Sequence, residues 1–334
     1  MTEPTADYDR IEQPGPDQKL GVTVVIPAYR AEDTVCRAVD SALSQPSVDV
    51  RVVVVIDGLV DQTAERLVNY QTAEVTIIAN HANKGAAAAR NDGLAVAETE
   101  FVMFLDADDF VEGPLLKGLA EEMRKQSAEL GFGPAQVMIE GPALRKPKFI
   151  PDFLSPSDLF RRWHLDGLFV PTCSVLWKTS YLRMIGGWDT DLSRNDDGEL
   201  VMRGVLKGAN FVQTAVGCGV YVKHSLRSLS NRTDNMDSML VANERIFSNY
   251  SSVIDRSYQE EICGGHYFNI AWHCYAANRD DLGDEAICRS RSLGYSGSRG
   301  PLIYRIAFSI FGLKLVSKAL ARLKHFSHWN GFRK

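Results

Sequence analysis

Over residues 21–112 the chain alternates between two hydrophobic periods. Residues 21–30 read GVTVVIPAYR, a β-branched run stopped by a proline, which is the pattern of a strand covered on both faces and followed by a loop. In residues 31–43 the apolar positions Val35, Ala38, Val39 and Ala42 recur at helical spacing. VDVRVVVVIDG, ending at Asp57-Gly58, predicts a second strand, and residues 62–70 suit a helix. EVTIIAN predicts a third strand, KGAAAARNDGLAVAE a third helix whose small residues permit close approach to a sheet, and FVMFLDADD a fourth strand that ends in acids. Continuous apolar strands alternating with short helices predict an α/β fold with a parallel sheet covered on both faces. Its ligand should sit outside the C-terminal ends of the strands.

Beyond Glu112 the rhythm loosens. The pattern predicts a helix over 115–127, a strand at AQVMIE, a proline-rich loop over 142–156, helical or irregular chain to about 210, and short strands at 210–214 and 220–223. Residues 237–278 and 301–325 read as helical. The expected organisation is a loose, polar N-terminal tail over 1–20, a catalytic unit over 21–230 and a helical C-terminal region over 231–334.

With 334 residues, 45% of them hydrophobic and 24% charged, the chain has enough apolar material for about two domains, or for one enlarged core with an appendage. Disorder throughout and collagen-like repetition are excluded. A formal net charge of −5 gives no general positive field for nucleic acid, so none is expected as a partner. The six cysteines are neither dense nor closely paired, which favours a reducing compartment, the cytoplasm. Residues 1–19 hold no apolar stretch of signal-peptide type, and the most apolar run, 302–313, is interrupted by Arg305.

The sharpest chemical signal is Asp106-Ala107-Asp108-Asp109 at the end of the fourth strand. Three carboxylates in four residues repel one another unless a cation or hydrogen-bond donors offset them. A hard divalent ion bridging to phosphate oxygens would do so. A solvated loop, with Asp109 capping the following helix, is the alternative. Asp57 ends the second strand and would reach the same crevice, although Asp-Gly is also a common turn. A second acid cluster, Asp196-Asp197-Gly198-Glu199, precedes an apolar helical run. One of its carboxylates could take a proton from an attacking hydroxyl, or the pair could simply favour the positive end of a helix.

Taken together, VVIPAYR, VVVVIDGLVDQT, NKGAAAARNDGL, FLDADD, Gly186-Gly187-Trp188-Asp189, NDDGELVMR and YVKHSLRSLS resemble the family 2 glycosyltransferases of the GT-A fold, over about residues 21–230. The resemblance implies a nucleoside diphosphate sugar as donor and Mn²⁺ or Mg²⁺ as cofactor. It puts Pro27, Tyr29, Asp57, Lys84, Arg90 and Asp106 in the donor pocket, and Asp106, Asp108 and His224 around the metal. It makes Asp197 the general base for an inverting displacement and gives Asp196 and Trp188 to the acceptor side, with the Trp188 indole either facing a sugar ring or packed in the core. The acceptor it implies is a glycan or lipid-linked saccharide of bacterial cell-surface polysaccharide synthesis. Ile56, Leu59, Val60 and Arg30 depart from the usual pattern around the nucleotide, and the absence of a QxxRW element points to a non-processive enzyme.

Two rival functions differ in class: a nucleotidyltransferase, which would want a glycine-rich phosphate loop where this chain has PAYRAED, and a non-catalytic sugar-nucleotide-binding scaffold. Cys263, His266, His273 and Cys274 have no common zinc-site spacing. Near the C-terminus Lys314, Lys318 and Arg322 form a basic stripe on an apolar helix. That stripe suits either an anionic membrane surface, at the inner face of the cytoplasmic membrane, or docking on protein.

Overall fold

A computed structural model describes residues 19–140, 144–193, 195–223, 236–250, 258–297 and 302–324. The expected tail over 1–20 falls almost wholly outside the described residues, as do the expected boundary near 230 and His224.

The four early strands form as their apolar runs predict: β1 (Gly21–Ala28), β2 (Asp49–Asp57), β3 (Val75–Asn80) and β4 (Phe101–Phe104). Pairs β1–β2, β2–β3 and β1–β4 are all parallel. Period-2 alternation sends Val22, Val24, Ile26, Val52 and Val54 to one core and Val25, Val53, Val55 and Phe104 to the other, so both faces of the sheet are buried. Helices α1 (Val35–Leu43), α2 (Thr63–Arg66) and α3 (Ala86–Ala95) follow in alternation. The close approach expected of the third helix is real: a Cβ at Gly93 would stand 2.3 Å from Val25 Cγ1.

The fourth strand is shorter than its apolar run suggests. It ends at Phe104, so Asp106 and Asp108 stand on a loop ahead of β5 (Phe110–Glu112) and α4 (Leu115–Gln126). The chain then forms β6 (Leu130–Phe132), β7 (Ala135–Ile139), β8 (Leu144–Arg145), α5 (Pro156–Leu165), β9 (Val175–Lys178), α6 (Thr179–Met184), α7 (Asp196–Leu206), β10 (Phe211–Gln213) and β11 (Cys218–Lys223). The main sheet has seven strands in the order β10-β6-β9-β4-β1-β2-β3, and the second has four in the order β5-β11-β7-β8. In the main sheet β9 runs antiparallel to both its neighbours, and Phe132 on β6 faces Val175 on β9. The architecture is thus α/β with a mostly parallel central sheet, followed by helices.

Those helices are α8 (Met236–Tyr250), α9 (Gly264–Ala276), α10 (Asp280–Ser292), α11 (Leu302–Phe311) and α12 (Leu313–Lys324). Leu240, Ile246, Tyr267, Ile270 and Ala271 join the same core as Phe104 and Trp177, and the helical region packs on α5 and α7. The expected helix over 301–325 is broken at Gly312, whose φ of 79° is left-handed. No helix among the described residues is long and apolar enough to cross a membrane.

Two of the three cations of the C-terminal basic stripe are engaged by protein, while Arg322 is exposed. Lys314 Nζ lies 3.2 Å from Asp280 and 3.4 Å from Asp284, and Lys318 Nζ lies 2.6 Å from Asp280, so both lysines dock α12 onto α10. Periodicity shows which residues share a helix face but leaves open where that face points, and the acidic start of α10 decides it.

Candidate active site

The site forms where the parallel strands end. At the tip of β2 the buried Asp57 carboxylate accepts from the backbone amides of Lys84 and Gly85, each at 2.8 Å. One carboxylate therefore pins the loop entering α3 and favours the positive end of that helix. The Lys84 ammonium pairs with Asp92 at 3.1 Å. Pro27 stands near the end of β1 and Tyr29 just beyond it, exposed, with the Arg30 guanidinium 5.4 Å from its ring centre.

Arg90, one turn into α3, is 6% exposed and divides its guanidinium between two elements. One terminal nitrogen donates to Asp106 at 2.6 Å and the other to Asp196 at 2.9 Å. Burial disfavours its charge, but Asp106, Asp196 and Asp197 overrule that and hold the guanidinium firmly protonated. The acid loop after β4 and the acid pair opening α7 are thereby joined through one cation.

Asp197, the second residue of α7, lies beside this network and accepts from the Gly198 amide at 2.8 Å. Desolvation first, and then the neighbouring charge of Asp196, push its carboxyl up to about 7, against the opposing pull of Arg90. Phe104, Trp177, Trp188 and Leu200 line the narrow space beside it. A carboxyl that titrates near neutrality is suited to accept a proton in a reaction.

Trp188 does not present a flat face to a sugar. It is 3% exposed, packs edge-on against Phe104 at 5.0 Å, and is covered by Arg90, whose guanidinium carbon lies 4.3 Å from the indole centre. Of the two readings of Trp188, this geometry fits the packed indole, which forms a floor beneath Arg90. Asn91 holds it by donating to the Trp188 carbonyl at 2.8 Å and accepting from the Trp188 amide at 2.9 Å. Gly187 makes room for that clamp, since a Cβ there would stand 2.6 Å from Asn91 Oδ1, and its φ is +64°. Asn91 lies inside the NKGAAAARNDGL motif, and its place beside Arg90 was the available signal.

Asp109 also escapes its sequence reading. Rather than capping α4, the buried carboxylate accepts from the Val222 amide of β11 at 2.8 Å, and burial raises its pKa, reinforced by Asp106 and Asp108. It ties the acid loop to the strand that leads to residue 224. Among the described residues no group of three His, Cys, Asp or Glu side chains stands ready to hold a metal ion. Asp106 and Asp108 nevertheless offer hard oxygen donors on a partly exposed loop, and Mg²⁺ commonly takes only one or two carboxylates and completes its shell with water and substrate phosphate. The donor set fits such an ion. In the C-terminal region, His266 turns its Nδ1 toward the His164 carbonyl at 2.8 Å.

Comparison with known proteins agrees with this geometry. Residues 23–181 match the family described as Glycosyl transferase family 2. The chain is 29% identical over 251 residues to the succinoglycan biosynthesis protein ExoO of Rhizobium meliloti (strain 1021), covering 71% of each. It is 35% identical over 89 residues to the Escherichia coli UDP-Glc:alpha-D-GlcNAc-diphosphoundecaprenol beta-1,3-glucosyltransferase WfaP, covering 27% of this chain and 36% of that one. In fold it is similar to S. aureus TarS 1–349, solved in complex with UDP-GlcNAc, with a TM-score of 0.67, 19% identity and coverage of 91% of this chain and 92% of that one.

Proposed function

Residues 23–181 make this chain a member of glycosyltransferase family 2, and from that premise we propose that it transfers a sugar, with inversion, from a nucleoside diphosphate sugar to a glycan or lipid-linked saccharide. The observation that carries the reading is Arg90 bridging Asp106 and Asp196 at 2.6 and 2.9 Å, which couples a donor-side acid loop to an acceptor-side acid pair. Relatives named for succinoglycan biosynthesis and for a diphosphoundecaprenol-linked acceptor support a role in bacterial polysaccharide synthesis. On this reading residues 21–230 are the catalytic unit and residues 231–334 its helical support.

In the proposed reaction the acceptor hydroxyl oxygen bonds to the anomeric carbon as the bond from that carbon to the diphosphate oxygen breaks. The hydroxyl proton passes to Asp197, and the electron pair leaves with the diphosphate. Asp196, fixed on Arg90, holds the acceptor-side turn. Lys84 leaves Asp92 to offset charge on the departing diphosphate, while Pro27, Tyr29 and Asp57 frame the nucleotide. Asp106 and Asp108, with His224, would hold Mn²⁺ or Mg²⁺, which when bound supplies Lewis-acid neutralisation of the diphosphate.

Calorimetric titration of UDP, GDP, dTDP and CDP, with and without Mn²⁺ or Mg²⁺, tests the donor side. One nucleotide should bind in a metal-dependent way, with binding lost in Asp108→Ala and kept in Asp197→Asn. Turnover of the matching sugar nucleotide in Asp197→Asn should fall by roughly 10²–10⁴-fold. Folded protein that binds none of the four overturns the donor site, and full turnover in Asp197→Asn overturns the base.

A further inference from the structure

The docking of Lys314 and Lys318 onto α10 turns another face of the C-terminal helices outward. Leu302, Ile306 and Ile310 follow one another at four-residue steps along α11, with Ile303 beside them and Leu315 continuing the face onto α12. These five side chains are between 50% and 72% exposed. The opposite side of the pair is anchored: Phe308 and Val316 are buried against Phe268, so the apolar stripe is held outward by a packed base. Scattered exposed apolar residues need no explanation, but a stripe repeated over three turns does.

The charges around the stripe indicate its occupant. Residues 302–324 contain no Asp or Glu, in a chain whose net charge is −5. Arg305 and Arg322 are exposed and form no ion pair among the described residues. A second copy docked on this face about a two-fold axis would set one acid-free cationic surface against another, which is repulsive. A bilayer with anionic headgroups satisfies both features, because the leucine and isoleucines enter the acyl boundary while the arginines meet phosphate. The helices are too short to span, so they would lie in the plane of the surface.

We propose that α11 and the start of α12 form an in-plane anchor for anionic lipid, with Leu302, Ile303, Ile306, Ile310 and Leu315 as the inserted face and Arg305 at its edge. The inference does not depend on the catalytic reading, since lipid binding and nucleotide binding are measured separately.

The test is co-sedimentation of the full chain with phosphatidylcholine vesicles and with vesicles also containing phosphatidylglycerol. The wild type should pellet with the anionic vesicles and much less with the neutral ones. The Ile306→Glu/Ile310→Glu double variant should lose at least tenfold in vesicle partitioning with an unchanged melting temperature, because both positions are exposed. Arg305→Glu should weaken binding to anionic vesicles selectively. Absence of wild-type binding, or equal binding by the variants, overturns the proposal. So does a wild-type dimer in light scattering that the double variant abolishes without any vesicle binding, for then the face belongs to a second copy.

Discussion

Two charge clusters in this molecule are built on mirrored arithmetic. Arg90 is one cation shared by two carboxylates, whereas Asp280 is one carboxylate shared by Lys314 and Lys318. The Arg90 side chain is 7% exposed and roofed over Trp188, while the Asp280 and Lys314 side chains are 38% and 42% exposed. The contrast teaches that setting, rather than the number of charges, decides what a cluster can do. Under protein, each charge alters its neighbours' protonation and none can be removed without stranding the others. In solvent, water and salt replace whichever partner is lost, and the cluster only sets how one helix lies on another.

The most damaging way to probe this contrast is Arg90→Met. Stranding Asp106 and Asp196 should cost about 3–5 kcal/mol in denaturant-induced unfolding and abolish turnover. A loss below about 1 kcal/mol would show that the buried cluster behaves like an exposed one. A smaller effect sharpens the picture through pH. If Asp197 is the base, kcat/KM should rise with pH through a midpoint of about 7. In Asp196→Asn that midpoint should move down, because a like charge is gone and Arg90 is released toward Asp197. Stability runs the other way: a carboxyl raised in the folded state favours folding fully below its unfolded value of about 3.9, and that contribution is lost as pH rises through about 7. The smallest effect belongs to Asp280→Asn, which should leave the melting temperature nearly unchanged at physiological salt, as a thermal melt would register.

The first half of the fold was legible because β1, β2 and β3 are continuously apolar runs, each followed by a helix of a different period. Four strands were not: β5, β6, β8 and β9 are two to four residues long, and a segment such as Leu130–Phe132 carries too few positions to display any period. In the site, motif resemblance picked out Arg90, Asp106, Asp196 and Asp197 individually. Their joining lies beyond local pattern, because the partners of Arg90 stand 16 and 106 residues away in the chain. Trp188 shows the same limit, since two preceding glycines reveal a special turn but leave open which way the indole points.

The antiparallel seam between β6 and β9 matters for how such a protein changes over time. Phe132 and Val175 face each other across it, so the intervening chain, with β7, β8 and α5, leaves and re-enters the main sheet at a single point. Its exposed turns can lengthen without altering the order of any strand in the seven-stranded sheet, whereas β7, paired with β11, and Leu159, Phe160 and Trp163, in the main core, tie the rest of it to the molecule. Arg90, Asp106 and Asp197 all lie outside it, but Val170 and Thr172 within it line the space beside Asp197, so only its outer turns can change while the reacting side chains stay in place.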